Sequence, residues 1–403
     1  MNILVVAPPI YPVPPYKGYG GSERGIYELC MGMCDLGHKI YLAAAGSSTI
    51  SHPSLTLIGF KSETPWEKTV ENKEFVDKRD MDKTELDRNS ELHAKVMQEY
   101  DAFLMTRIKE LISEGAVNVI NFRHQSQAIL DFITESPVPL VFSMHAAAFE
   151  LDKRLYNSKC TVTVHTQSMK DLLPPEANVV VVPYGVTSDG VPFSEYTLSQ
   201  LESGERLSLE VQKQIYAKGQ DYALSLGTIG KHKGVRTAIE IAKGNNTPIV
   251  VAGTPTPRFA GDYENSVGYF KREIEPQIDN DSVYYFGNAD EKTKYELMKY
   301  AKYFIFPAGY EDKRWKDTFG RVIAESLLTG TPVLVYADSG GSVEQVEHGR
   351  NGFIFNTVDE AIAYANDISR IDREYCREYA MENLSSKRFV EASEKLFSSL
   401  IAN

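Results

Sequence analysis

The feature that most narrows the fold is an order of apolar run, glycine-rich turn, helical pattern and apolar run that is written twice along the chain. In the first half, residues 3–7 read as a buried strand and a Pro/Gly/Tyr-rich loop follows to Gly21. A helical pattern then runs from Ser22, read as its N-cap, towards Gly37, and Ile40–Ala45 is the next strand. A strand–helix–strand crossover returns the chain in the same direction, so the sheet is expected to be parallel. Val117–Phe122, Leu140–Ser143, Thr161–His165 and Val179–Val182 supply further strands, and Pro183-Tyr184-Gly185 closes the series. Residues 61–114 carry interleaved charges of both signs with apolar positions at helical spacing, and read as solvated helices.

Residues 186–220 are polar and turn-rich, a linker with a leading helix. The same order resumes with strand 223–226, a Gly-rich turn, helix 234–243 and strand 248–252. It continues through strands 283–286, 303–306 and 332–336 and helices 291–300, 320–329 and 358–368, with a last helix at 386–402. Two such series predict an α/β protein of two doubly wound domains, 1–185 and 221–385, facing a cleft. The 403 residues suit that division.

Composition excludes several classes of function. A net charge of -12 lacks the basic footprint of a nucleic-acid binder, although a local basic patch touching acidic lipid stays open. No apolar run reaches the roughly 18–20 residues of a membrane span, and the opening Met1–Pro9 lacks the basic segment of a secretory leader. Four cysteines are too few for a disulfide framework, and Cys30 and Cys34, on one helix face, have no matching Cys/His pair for zinc. The expectation is a cytoplasmic protein, with peripheral membrane contact left open.

Chemistry concentrates in four turns after strands, where open parallel sheets bind ligands. Gly18-Tyr19-Gly20-Gly21-Ser22-Glu23 is not a dinucleotide fingerprint, because Glu23 stands where the third glycine belongs. A Gly-Gly turn opening a helix still offers N–H groups to an anion. Gly227-Thr228-Ile229-Gly230-Lys231-His232-Lys233-Gly234 lets a diphosphate approach the backbone and adds fixed positive charge. Asp317-Thr318-Phe319-Gly320-Arg321 opens a helix that carries Glu325 among apolar residues, a carboxylate that needs partners such as ribose hydroxyls. Ser339-Gly340-Gly341-Ser342 is a fourth turn, uninformative by itself. His124, at the end of strand 117–122, could face the cleft and receives no role.

Taken in order, Gly20-Gly21-x-Glu23, His145 after a strand, Pro183-Tyr184-Gly185-Val186, Gly227…Lys233-Gly234, Asp317-x7-Glu325 and Gly330-Thr331-Pro332-Val333 resemble glycosyltransferase family 4. The resemblance spans nearly the whole chain and is densest over 223–356. It implies a GT-B fold with the C-terminal helix crossing back to the first domain. The implied reaction is retaining, metal-independent transfer of a hexose-type sugar from a UDP- or GDP-linked donor, with no cofactor, to a saccharide, lipid-linked or small-molecule acceptor. By the same resemblance Lys233 neutralises the leaving diphosphate, Glu325 holds the ribose, Asp317 contacts the transferred sugar and His145 meets it near its C6 hydroxyl. Gly20, Gly21, Thr228, Phe319 and Gly320 complete the donor site, and Glu23 stands on the acceptor side.

Three departures from the family pattern bear on the donor. Asp317 replaces a glutamate, Thr228 replaces an arginine for which Lys231, Arg236 or Arg321 could substitute, and residues 311–316 read as an insertion. Two other functions fit the architecture, a sugar-nucleotide 2-epimerase and a degenerate sugar-nucleotide-binding protein.

Overall fold

Both series form parallel sheets in the computed structural model, which describes residues 1–15, 20–63, 83–145, 152–156, 160–204, 207–256 and 260–402. The first sheet contains β1 Asn2–Val6, β2 Lys39–Ala45, β3 Leu55–Phe60, β4 Val119–Phe122, β5 Leu140–Ser143, β6 Cys160–Val164 and β7 Val179–Val181. Their spatial order is β3-β2-β1-β4-β5-β6-β7. The second contains β8 Ala223–Leu226, β9 Ile249–Ala252, β10 Val283–Gly287, β11 Tyr303–Phe306, β12 Val333–Tyr336 and β13 Gly352–Phe355, ordered β10-β9-β8-β11-β12-β13. In each sheet the order reverses between the first strand and its later neighbour, β1 beside β4 and β8 beside β11. Connections leave such a pair towards opposite faces, which opens a crevice at the strands' carboxyl ends. The strands are near-continuous apolar runs because both faces are covered, as with Ile3, Leu4, Val5 and Val6, each at most 1% exposed.

The helices that cover the sheets are α1 Gly21–Asp35, α2 Lys83–Ser113, α3 Gln127–Ile133, α4 Lys153–Tyr156 and α5 Gln167–Asp171 in the first series. In the second they are α6 Glu210–Tyr216, α7 Val235–Gly244, α8 Glu291–Tyr300, α9 Arg321–Leu328, α10 Val358–Asp367 and α11 Arg373–Asn383. The last helix is α12 Ser386–Ala402. The chain divides into two compact units, one holding the first sheet through Thr187 together with the chain from Ser386, the other holding Ser188–Ser385. The polar stretch from Ser188 thus belongs with the second unit. Within the first, α12 lies so close to α1 that a Cβ on Gly32 would stand 2.5 Å from Val390 Cγ2. Ser386 N–H donates to the Val186 carbonyl at 2.9 Å. All four cysteines are buried free thiols, and among the described residues no helix is long and apolar enough to cross a membrane.

Several local expectations change. Helix α1 starts at Gly21 with Gly20 as N-cap, not Ser22, because Gly20 takes a left-handed φ of 116° that turns the chain into the helix. Strands β3 and β13 were not legible, β3 being a half-exposed edge strand with mixed burial. Of the charged stretch 61–114, residues 64–82 lie outside the described residues, and α2 is not merely solvated. Val96, Tyr100, Leu104, Ile108 and Leu111 form a buried stripe in the core of the first sheet, and Tyr100 Oη donates to the Ala7 carbonyl at 2.8 Å.

Candidate functional site

In the second unit, three of the four turns meet. The turn after β8 bends at Gly227, whose carbonyl would stand 1.8 Å from a Cβ on Gly253, so the two loops touch backbone to backbone. Thr228 sits half-buried in that turn, followed by Ile229, whose N–H donates to the Thr254 carbonyl at 3.0 Å. Lys231–Lys233 is a single helical turn ending at Gly234, φ 70°, which is also the N-cap of α7. Lys233 therefore projects from a fixed point. Its Nζ pairs with Asp317 Oδ2 and lies over the rings of Phe306 and Trp315, 5.4 and 5.6 Å from their centroids.

The turn that carries Asp317 is stitched to the fourth turn, which is its structural partner. Asp317 N–H donates to the Ser339 carbonyl at 2.8 Å, and Gly341 N–H donates to the Asp317 carbonyl at 2.7 Å. Gly340 must be glycine there, since φ is 86° and a Cβ would stand 2.7 Å from the Asp317 carbonyl. Asp317 does not cap α9. The N-cap is Gly320, φ 77° with no side-chain cap, and Asp317 Oδ1 instead accepts from Phe319 N–H at 3.4 Å. Phe319 is 5% exposed, and Gln345 Nε2 donates to the carbonyls of both Phe319 and Gly320. Helix α9 thus begins beside the Lys233–Asp317 pair, with Ile323 N–H turned back to the Gly320 carbonyl at 2.9 Å, and the positive end of its dipole suits an anion.

Glu325 lies further along α9, with its side chain 4% exposed and Lys294 Nζ of α8 at 2.8 Å from Oε1. Arg321 Nε is 4.0 Å from the same oxygen. The segment 311–316 is tied to its neighbours through Glu311 and Trp315. Glu311, side chain 3% exposed, accepts from Thr237 N–H at 3.0 Å, Thr237 Oγ1 at 2.9 Å and Tyr269 Oη at 3.1 Å, so it caps α7 where Gly234 cannot. Trp315 packs on His232 with ring centroids 4.5 Å apart. Of the cations that could serve beside Thr228, Arg236 faces Glu311 at 3.5 Å and Arg321 faces Glu325, whereas Lys231 is exposed and forms no ion pair among the described residues.

In the first unit, Gly20 and Glu23 meet at the start of α1, and a Cβ on Gly20 would stand 2.8 Å from Glu23 Oε2. Gly18 and Tyr19 lie outside the described residues. Burial, with the Glu23 side chain turned back over the helix end, raises its carboxyl above the usual range. His145 belongs to a polar chain that the sequence did not disclose. Asn121 Oδ1 accepts from Arg123 Nε at 2.8 Å, and Arg123 Nη1 lies 2.5 Å from His145 Nε2. His145 Nδ1 is 3.1 Å from His165 Nε2, and His165 Nδ1 is 3.2 Å from the Val182 carbonyl.

A guanidinium only donates, which fixes the tautomers along this chain. His145 accepts at Nε2 and donates from Nδ1, and His165 does the same in turn. Tyr184 packs on both rings, centroids 5.8 and 4.4 Å away, and its Oη reaches the Gly21 carbonyl at 3.2 Å. Burial lowers the Arg123 guanidinium to about 10, still charged at neutral pH. His124 has both ring nitrogens buried without a hydrogen-bond partner among the described residues, and burial lowers it to about 4.

Comparison with known proteins bears on the second unit and on the fold. Residues 209–383 match the family described as Glycosyl transferases group 1. Spore coat protein SA of Bacillus subtilis (strain 168) is 22% identical over 187 residues, 45% of this chain and 47% of that protein, so the match spans about half the relative's length. Among solved structures, sucrose-phosphate synthase from Thermosynechococcus elongatus superposes with a TM-score of 0.68 at 12% identity, covering 100% of this chain and 99% of that one. HepE of Anabaena, solved in complex with UDP and glucose, gives 0.64 at 14% identity, covering 99% and 100%. A glycosyltransferase involved in avilamycin A biosynthesis gives 0.58 at 16%, covering 100% and 98%. The two Rossmann-like units are those of the GT-B fold.

Proposed function

We propose, from a second unit that matches group 1 glycosyl transferases, that the chain moves a hexose-type sugar from a UDP- or GDP-linked donor to an acceptor hydroxyl, with retention and without a metal ion. The observation that carries this reading is the convergence of three turns at the carboxyl edge of the second sheet, with Lys233 against Asp317 and the N-terminus of α9 beside them. Cleavage of the anomeric C–O bond develops charge on the departing diphosphate. On this reading Lys233 and the N-terminal dipole of α9 stabilise it, which is where catalytic energy is best spent. Glu325 takes the ribose, and Asp317 the sugar ring. In the first unit, Gly20, Gly21 and Glu23 serve the acceptor side and the sugar meets His145, whose orientation Arg123 and His165 fix. No nucleophilic carboxylate is assigned, so the acceptor attacks on the face the diphosphate leaves, and a phosphate oxygen takes its proton.

Donor turnover in the presence of excess EDTA tests this. UDP- and GDP-hexoses are incubated with a panel of sugar and lipid-linked acceptors, and product configuration is read by NMR. Expected are transfer with retained configuration in EDTA and a Lys233→Ala variant slower by roughly 10²-fold in kcat/KM. Loss of activity on chelation with recovery on Mn²⁺, or an unimpaired Lys233→Ala enzyme, would overturn the assignment.

A further inference from the structure

Helix α8 packs its inner face with Tyr295, Leu297, Met298 and Tyr300, and in the same set of buried residues stands a lysine, Lys294. Its side chain is 9% exposed, and a lysine is almost never so enclosed unless its ammonium is paired. The partner is Glu325, 2.8 Å away, and the ammonium also lies 4.4 Å from the Tyr295 ring centroid. Such a pair is weak evidence for stability, because desolvating two charges offsets most of their attraction. Its place in the fold offers a better reason, since the carboxylate it grips is the one assigned to the donor's ribose.

We propose that Lys294 is a positioning residue for nucleotide binding, acting through Glu325; this rests on the donor reading of that carboxylate. The ammonium of Lys294 and the guanidinium of Arg321 both approach Oε1, at 2.8 and 4.0 Å. A carboxylate gripped at Oε1 keeps one orientation towards a hydroxyl donor, and losing the ammonium loosens that hold and lets the side chain change rotamer. Lys294 therefore sets the affinity for the nucleoside diphosphate without contacting it.

Calorimetric titration of UDP and of GDP into wild type, Lys294→Met, Lys294→Arg, Glu325→Gln and the Lys294→Met/Glu325→Gln double variant decides the matter. Wild type binds at least one of the two. Lys294→Met weakens that binding about tenfold or more, and Lys294→Arg returns it to within a few-fold. In the Glu325→Gln background, Lys294→Met costs nothing further, since its effect passes through the carboxylate. With a turnover assay, Lys294→Met raises donor KM and spares kcat.

Binding by Lys294→Met as tight as wild type, or tighter, overturns the proposal. So does a further loss in the double variant, which would put the ammonium on the nucleotide itself. If Lys294→Met does not fold, Lys294→Gln, which keeps a hydrogen-bond donor without the charge, replaces it in both backgrounds and is read in the same way. A Glu325→Gln protein that binds as wild type does, or a wild type that binds neither nucleotide, sinks the donor reading itself. Weakened Glu325→Gln with unchanged Lys294→Met sinks only the role of Lys294.

Discussion

Lys233 and Asp317 form a pair whose side chains keep 23% and 12% exposure, a setting in which ion pairs stabilise little. On the proposed function the value of the pair is in readiness: Lys233 is held at one place with a counter-charge that the donor's diphosphate would replace. On that reading Asp317→Asn should lower kcat, because a contact to the sugar would strengthen only as the ring gains positive charge. Glu325→Gln should mainly raise donor KM, the mark of binding lost equally in ground and transition states. Steady-state kinetics in a single donor separates the two, and unchanged constants in both variants would remove the motif from the reaction.

His124 supports a second residue-scale prediction. Its folded value of about 4 lies below the ordinary 6.5, so the folded protein favours the neutral ring. Its contribution is complete above pH 6.5 and is lost as pH falls towards 4, by at most about 1.4 kcal/mol per unit. Melting curves of His124→Phe between pH 7 and 4.5 should fall less steeply than wild type, and parallel curves would contradict this. Lys233 and Asp317 stood out in the sequence because small-residue turns carry them, and Glu325 because it is a carboxylate among apolar residues. Glu311, Arg123, His165 and Lys294 were not, because a buried charge and a solvated one look alike until the fold shows what each faces.

At the scale of elements, the strand–turn–helix order was readable because parallel strands covered on both faces are unbroken apolar runs. Edge strand β3 escaped for the opposite reason, and the buried stripe of α2 was hidden by charges on its other face. Leu104, fully buried in that stripe, gives the test. Leu104→Ala should cost about 2–5 kcal/mol in urea unfolding, whereas a solvated helix would lose a few tenths. The fourth turn shows a further limit of sequence. Ser339-Gly340-Gly341-Ser342 is weak alone, and its meaning comes from the backbone of Asp317 lying against it.

At the scale of the molecule, the first unit is assembled from both ends of the chain. Helix α12 docks on α1 through Gly32 and Val390, and His38 Nε2 lies 3.6 Å from Glu394 Oε1. A chain ending at Ser385 should show one lowered calorimetric transition, that of the first unit, with the other unchanged. Equal lowering of both, or of neither, would refute that division. The same discontinuity governs how the protein is made. Ribosomes deliver residues in order at about 5–20 per second, so of the two units the one begun earlier is finished later. Its opening helix waits for a segment roughly 350 residues downstream, a closure that is slow because so much chain must be looped before any contact rewards it. Until then the face of α1 around Gly32 is bare, and a nascent chain stalled within the second unit carries an incomplete surface that chaperones and proteases can read.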